Sequence, residues 1–198
     1  MKKYIILILT TIILFAFSFP NTSVQAKRLP HTENWKIEST TKAYKTTEYG
    51  KWKLIYKGDP AKRKGEYDTI SASISDTVSV SGQIELSKKT IASSLGYSYS
   101  KTYEYSGSKN SASLKKGEYI RGYVKKVGQY SKVKQRKYIH SPATGNKKTN
   151  VTKTAYVRAP SAITLKIDYY TAKKKKKKTV SYIKSGKSWV QTDVKYYV

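Results

Sequence analysis

The chain has no cysteine, only two histidines and only 12 acidic residues in 198, and each scarcity closes off a class of function. Without thiols there is no disulfide framework, no zinc ribbon and no lipid-modified cysteine. With His31 and His140 as the only imidazoles, a metal centre or a Ser–His–Asp relay has little to draw on. The closest carboxylates, Glu66 and Asp68, share a strand face beside a basic loop, which suits local pairing or solubility. Neither a Gly-x-Ser-x-Gly elbow nor a glycine-rich phosphate loop occurs. The expectation is a protein that is not an enzyme and takes no metal or cofactor. A wall or polysaccharide hydrolase, with two carboxylates flanking a cleft, is the remote alternative.

Long hydrophobic runs are equally scarce. Met1-Lys2-Lys3, the apolar stretch from Tyr4 to Phe19, and then Val24-Gln25-Ala26 match the three zones of a secretory signal peptide, with cleavage expected after Ala26. The stretch falls short of the about 20 apolar residues of a spanning helix. Residues 1–26 are read as a signal peptide, 27–34 as a mobile basic arm and 35–198 as a single β-rich domain, secreted or associated with the cell wall. Zero cysteine points to export from a bacterium that does not rely on disulfides. Removing 26 of 198 residues leaves 172, with 38 basic against 12 acidic side chains, a surplus of +26. All three Phe and the only Met depart with the leader, so the aliphatic core rests mainly on Ile and Val. That composition favours strands.

The strand period is plainest between residues 69 and 106. From Thr69 to Ser87 the even positions are mostly apolar (Ile70, Ala72, Ile74, Val78, Val80, Ile84, Leu86), and after Lys88-Lys89-Thr90 the odd positions take over (Ile91, Leu95, Tyr97, Tyr99, Tyr103, Tyr105). A phase change of this kind predicts a hairpin in which Leu86 faces Ile91, Ile84 faces Ser93, Val80 faces Tyr97, Val78 faces Tyr99 and Asp76 faces Lys101. The Asp76–Lys101 pair would specify the register more than stabilise it, being worth roughly 0.2–1 kcal/mol. The competing reading is a short helix capped by Thr90, with Ile91 and Leu95 on one face and Gly96 ending the turn.

Elsewhere the pattern is similar. Trp35 to Tyr56 reads as one or two strands broken at Gly50, Gly58 to Gly65 as a basic loop, and Tyr119 to Ile139 as two strands broken near Gly128. Ser141 to Lys148 reads as a loop, Val151–Val157 and Ile163–Tyr169 as two strands, and Val180 to Ile183 and Val190 to Val198 as the last two. No run of ten residues has a helical period. The expected fold is all-β, a single antiparallel sandwich or elongated sheet of roughly eight to ten strands with a long amphipathic hairpin.

A surplus of +26 far exceeds the net charge of about 2–8 that keeps a small domain soluble, so it calls for an anionic partner. The expected polyanion-binding residues are Lys132, Lys134, Arg136 and Lys137, together with Lys173, Lys174, Lys175, Lys176, Lys177 and Lys178. For an exported protein the expected partners are anionic wall polymers, anionic lipid or acidic polysaccharide, with non-specific nucleic-acid binding in vitro.

The Ser/Thr-rich alternation at 69–106, about 38 of 198 residues, resembles the insertion hairpin of aerolysin-like β-pore-forming toxins. Thr77–Ser87 and Ile91–Ser100 each match the about 9–11 strand residues that cross a bilayer. The resemblance implies a pore-forming or antimicrobial β-toxin that would act as an oligomer. The Ser-rich alternation followed by Lys116-Gly117-Glu118-Tyr119 is also similar to small exported proteins of Gram-positive bacteria, whose activity it does not specify.

Overall fold

The structure, a computed structural model, describes residues 31–197. The signal-peptide reading and residues 27–30 of the basic arm lie outside them. The chain is all-β, and among the described residues its elements are β1 (Thr32–Lys57), β2 (Thr69–Thr77), β3 (Ser79–Gly82), β4 (Thr102–Asn110), β5 (Tyr119–Ser141), β6 (Gly145–Tyr170), β7 (Lys176–Ser185) and β8 (Ser188–Tyr196), with one short helix, α1 (Lys88–Ser93). The main sheet runs β1-β5-β6-β7-β8, all antiparallel, and β3 adds to β6. β2 and β4 form a separate two-stranded ribbon.

Length is the first departure from the expected elements. β1 and β6 have 26 residues each, so at 3.3 Å per residue β6 extends roughly 80 Å, and β1, shortened by its bulges to run from His140 to Arg121 of β5, roughly 60 Å. The breaks expected at Gly50 and Gly128 are register shifts inside continuous strands, between Tyr49 and Lys53 and between Val127 and Gly128. In β5 the buried residues are even-numbered before the shift (Ile120, Val124) and odd-numbered after it (Ser131, Val133, Gln135). An irregularity that exchanges the two faces looks like a strand end in sequence, although backbone pairing runs on through it. For the same reason Val151–Val157 and Ile163–Tyr169 belong to one strand. Residues 32–34, assigned above to the mobile arm, already pair with β5, Thr32 opposite His140.

The ribbon and the β3–α1 segment cover the sheet. Ile70 packs with Ile120, Leu165 and Ile167, and Ala72 with Val124 and Ile163. Val78, Val80, Ile91, Ala92 and Leu95 pack on Val133, Ala155 and Val157. The predicted hairpin register is therefore wrong. β2 does pair with the later alternating segment, but Asp76 faces Tyr103 and Thr77 faces Thr102, while residues 78–101 form an excursion. Val80 faces Val157 on β6 instead of Tyr97, and neither Thr77–Ser87 nor Ile91–Ser100 is a continuous strand.

The physical reason lies in what each alternative buries. Ile91, Ala92 and Leu95 come together on one helical turn and lose nearly all exposure, at about 1.5–3 kcal/mol for each large side chain. Ser87 caps the turn by accepting the Thr90 N–H at 3.1 Å. An extended hairpin would leave the same side chains facing water on a two-stranded ribbon, supported by cross-strand pairs of less than about 1 kcal/mol. Gly82 ends β3 at φ +90, where a Cβ would stand 2.9 Å from the Thr154 carbonyl.

Candidate functional site

The first half of β5 divides its side chains between core and surface. Ile120, Gly122 and Val124 turn inward, so Tyr119, Arg121, Tyr123 and Lys125 project from the other side. Their β6 partners across the ladder are Tyr170, Asp168, Lys166 and Thr164. Tyr119 and Tyr170 stack at 4.9 Å, and the Arg121 guanidinium lies 5.3 Å from the centre of the Tyr170 ring. Lys166 places its ammonium 4.6 Å from both Tyr123 and Trp52, and Lys125 sits 5.4 Å from Trp52 and 3.3 Å from Glu48. Leu54, half exposed, stands opposite Tyr123 on β1. The result is a half-buried aromatic surface studded with cations. Each cation–π contact adds about 0.5–1 kcal/mol at such exposure and holds its charge in a fixed place.

The four expected anion-binding residues of β5 behave differently from one another. Lys132 is exposed and lies 4.6 Å from the Tyr44 ring. Arg136 is committed to Glu38, through Nη2 at 2.5 Å and Nε at 2.7 Å, and donates from Nη1 to the Thr149 carbonyl at 2.6 Å. Lys134 and Lys148 approach the same carboxylate at 3.4 Å, and Lys137 pairs with Glu33 at 2.6 Å. Hydrogen bonding from Arg136, opposed by burial and helped by the charges of Arg136 and Lys134, holds the Glu38 carboxyl down to about 2. Glu38 occupies a bulge between Ile37 and Ser39, which turns it toward these cations.

The run of six lysines splits in two. Lys173, Lys174 and Lys175 are exposed in the β6–β7 turn, with Lys174 at φ +62. Lys176, Lys177 and Lys178 begin β7 and are engaged: Lys176 with the buried Asp168 at 2.8 Å, Lys177 with Glu118 at 2.9 Å, and Lys178 4.6 Å from the Tyr169 ring. Only half of the run is available surface charge.

Asp76 does not meet Lys101, whose ammonium lies 5.5 Å from the Tyr103 ring instead. Asp76 is on the sheet-facing side of the ribbon, where it accepts a hydrogen bond from the Tyr49 hydroxyl. Lys126 stands 3.2 Å from it and Arg158 3.8 Å, the latter 4.0 Å over the Tyr49 ring. One carboxylate thus joins β2 to β1, β5 and β6. Burial raises its pKa, but the Tyr49 hydroxyl, the Thr77 N–H and Lys126 outweigh it and leave it below the usual aspartate value. Tyr49 is pushed above its ordinary value by burial and by Asp76. Next to this node, Gly50, Lys51, Lys53, Ser73, Ser75, Glu104 and Lys125 help line a cleft of about 510 Å³ between β1, β5 and the ribbon.

Sequence reasoning missed Glu38, Tyr49, Trp52, Arg158 and Lys166. None had a local signal, since each acquires its surroundings from other strands, 27 positions away for Tyr49 and Asp76 and 98 for Glu38 and Arg136. Among the described residues no group of three His, Asp or Glu is placed to hold a metal ion.

No protein-family model matches the chain, and neither does any curated protein. In three dimensions it is similar to a protein from Bacteroides vulgatus described provisionally as a pore-forming toxin, at 12% identity and a TM-score of 0.30. The similarity spans 73% of this chain and 56% of that one, so the chain matches little more than half of its length. A likeness this loose carries no argument for shared activity.

Proposed function

We propose that this is a secreted, strongly cationic β-protein that associates with anionic cell-envelope surfaces or extracellular polyanions. The observation that carries the reading is the open face of β5 and β6. There, Arg121 and Lys166 are held against Trp52, Tyr123 and Tyr170 and, among the described residues, have no carboxylate in an ion pair with them, while Lys125 is shared between Trp52 and Glu48. Once Lys2 and Lys3 leave with the signal peptide, twelve acids cannot neutralise 38 basic side chains, so a large positive field persists and would steer the protein to anionic surfaces. Binding of the purified protein to anionic vesicles or isolated walls should fall steeply between low and high salt. No binding at low salt would refute the reading.

A second reading, pore formation, draws on a different observation. The β2–β4 ribbon makes no backbone ladder with the main sheet; it is held by side-chain packing, the Asp76 node, Tyr105 to the Pro160 carbonyl at 2.9 Å and Trp189 to the Ser108 carbonyl at 3.0 Å. Its outer side carries paired polar groups, Ser71 with Ser108 and Thr69 with Asn110. Such a ribbon could leave the sheet without breaking its own ladder, and only β3 would have to unpair. Ser81→Cys with Tyr156→Cys, directly opposite in register, would staple β3 to β6 within disulfide reach. On this reading anionic liposomes leak with the reduced double variant and stay sealed with the oxidised one. Equal leakage from both, or none from the wild type, would count against it.

A further inference from the structure

β1 ends the order of the main sheet, so among the described residues one of its two edges has no strand paired to it over 26 residues. Its acids and its lysines, Lys36 over the Tyr138 ring excepted, are sorted to opposite purposes. Glu33, Glu38 and Glu48 each reach back to cations of β5: Lys137, Arg136 with Lys134, and Lys125. Lys42, Lys45, Lys51, Lys53 and Lys57 are all exposed, and among the described residues none is in an ion pair or over an aromatic ring. Two stand in segments that the ladder skips. Lys42 lies between Thr41 and Lys45, and Lys51 between Tyr49 and Lys53, where β1 carries extra residues relative to β5. Bulges of this kind push backbone and side chains out of the sheet edge.

We infer that this edge is a binding rail for a linear phosphodiester polymer, of the poly(glycerol phosphate) kind found in cell walls. The inference rests on the reading of the protein as a polyanion binder and names where and what it binds. Lys42 to Lys57 runs alongside Lys132 to Arg121 of β5, roughly 35 Å at strand spacing because the bulges take up the extra residues of β1, yet the row is one strand wide. Lys53 stands opposite the inward Val124 and Lys57 opposite the outward Arg121, so the row reaches out from both faces of a single strand; a narrow line of this kind matches a linear polymer, whereas a bilayer would be met by a plane of cations. Midway along, Lys51 and Lys53 open into the cleft of about 510 Å³, where Ser73 and Ser75 offer hydroxyl donors to a phosphate and Lys51, Lys53, Lys125 and Lys126 outnumber the one carboxylate in its lining, Glu104. Edge lysines also discourage strand-to-strand aggregation, and the test separates the two roles.

The wild-type protein is acetylated at lysine with and without poly(glycerol phosphate), and protection is read residue by residue. Protection should centre on Lys42, Lys45, Lys51, Lys53 and Lys57, and should be weak at Lys115, Lys116 and Lys173 to Lys175. The variant with all five edge lysines changed to Gln should bind the polymer at least about 30-fold more weakly than wild type. By the counterion rule for single strands, about 0.7 per cation, its log–log salt slope should shrink by about 3.5. A variant with the same five changed to Arg should keep both. The charge-matched control, Gln at Lys115, Lys116 and Lys173 to Lys175, should change affinity less than about threefold. Polymer binding with protection elsewhere, or equal loss in both Gln variants, overturns the rail and leaves the polyanion reading standing. No binding of wild type to the polymer, to walls or to anionic vesicles overturns both.

Discussion

β2 and the stretch from Ser79 to Ser93 carry the same two-residue alternation in sequence and meet different ends. β2 keeps it over nine residues, pairs with β4 and buries Ile70 and Ala72. The later stretch uses it for four residues on β6, then abandons it for a helix turn that buries Ile91 and Leu95. Periodicity states which side chains want to be hidden together. It does not state which surface hides them, and here the edge of β6 offered the second stretch a deeper burial than its neighbour in sequence could.

The largest test of that comparison removes one core residue from each stretch. Ile70→Ala and Ile91→Ala, both at fully buried positions, should each cost about 2–5 kcal/mol in urea unfolding. Because α1 lies on an excursion, Ile91→Ala should also expose residues 83–101 to limited proteolysis at native conditions, while Ile70→Ala should not. Cleavage of that segment in both variants would mean that ribbon and excursion form one cooperative unit.

Gly82→Ala comes next. Its φ of +90 and the 2.9 Å approach of a Cβ to the Thr154 carbonyl should cost about 1–3 kcal/mol and loosen β3. Gly96→Ala, at φ +81 with open space around it, should cost only the left-handed strain of about 1–2 kcal/mol. Equal effects would show that the close approach at Gly82 relaxes.

The Asp76 node sets a pH window. A lowered carboxyl pKa contributes stability that is present above the unfolded aspartate value, about 3.9, and is lost as pH falls below it. Glu38, held down to about 2, acts in the same direction below about 4.3. Tyr49, raised, contributes stability that is present below about pH 10 and lost as pH rises through its folded value. Asp76→Asn should cost about 1–3 kcal/mol at neutral pH and flatten the acid limb of a thermal-melt profile. An unchanged limb would place the acid sensitivity elsewhere.

Ser87→Ala is the smallest change, about 0.5–2 kcal/mol from the lost cap of α1. Its effect on proteolysis of residues 83–101 should exceed its effect on global unfolding.

Much of the architecture was legible because strand period is a local property. Tyr119 to Ile139 alternates on both sides of Gly128, and the error in that stretch was to read a change of face as a chain break. The candidate site was less legible. Lys134 and Arg136 look like free cations in a basic cluster, and Glu38, nearly 100 residues earlier, is what engages them. Lys176 to Lys178 look like the rest of a polylysine turn, yet Asp168 and Glu118 draw two of them into the sheet.

The sequence by itself determined the class of fold, the phase of the alternating segments that became strands and the size of the charge surplus, because all three depend on residues within a few positions of one another or on composition alone. Tertiary structure decided which alternating segment met which partner and which lysines stayed unpaired. Those outcomes are differences of a few kcal/mol between non-local pairings, and they arise only once distant strands compete for the same apolar surface and the same 12 carboxylates.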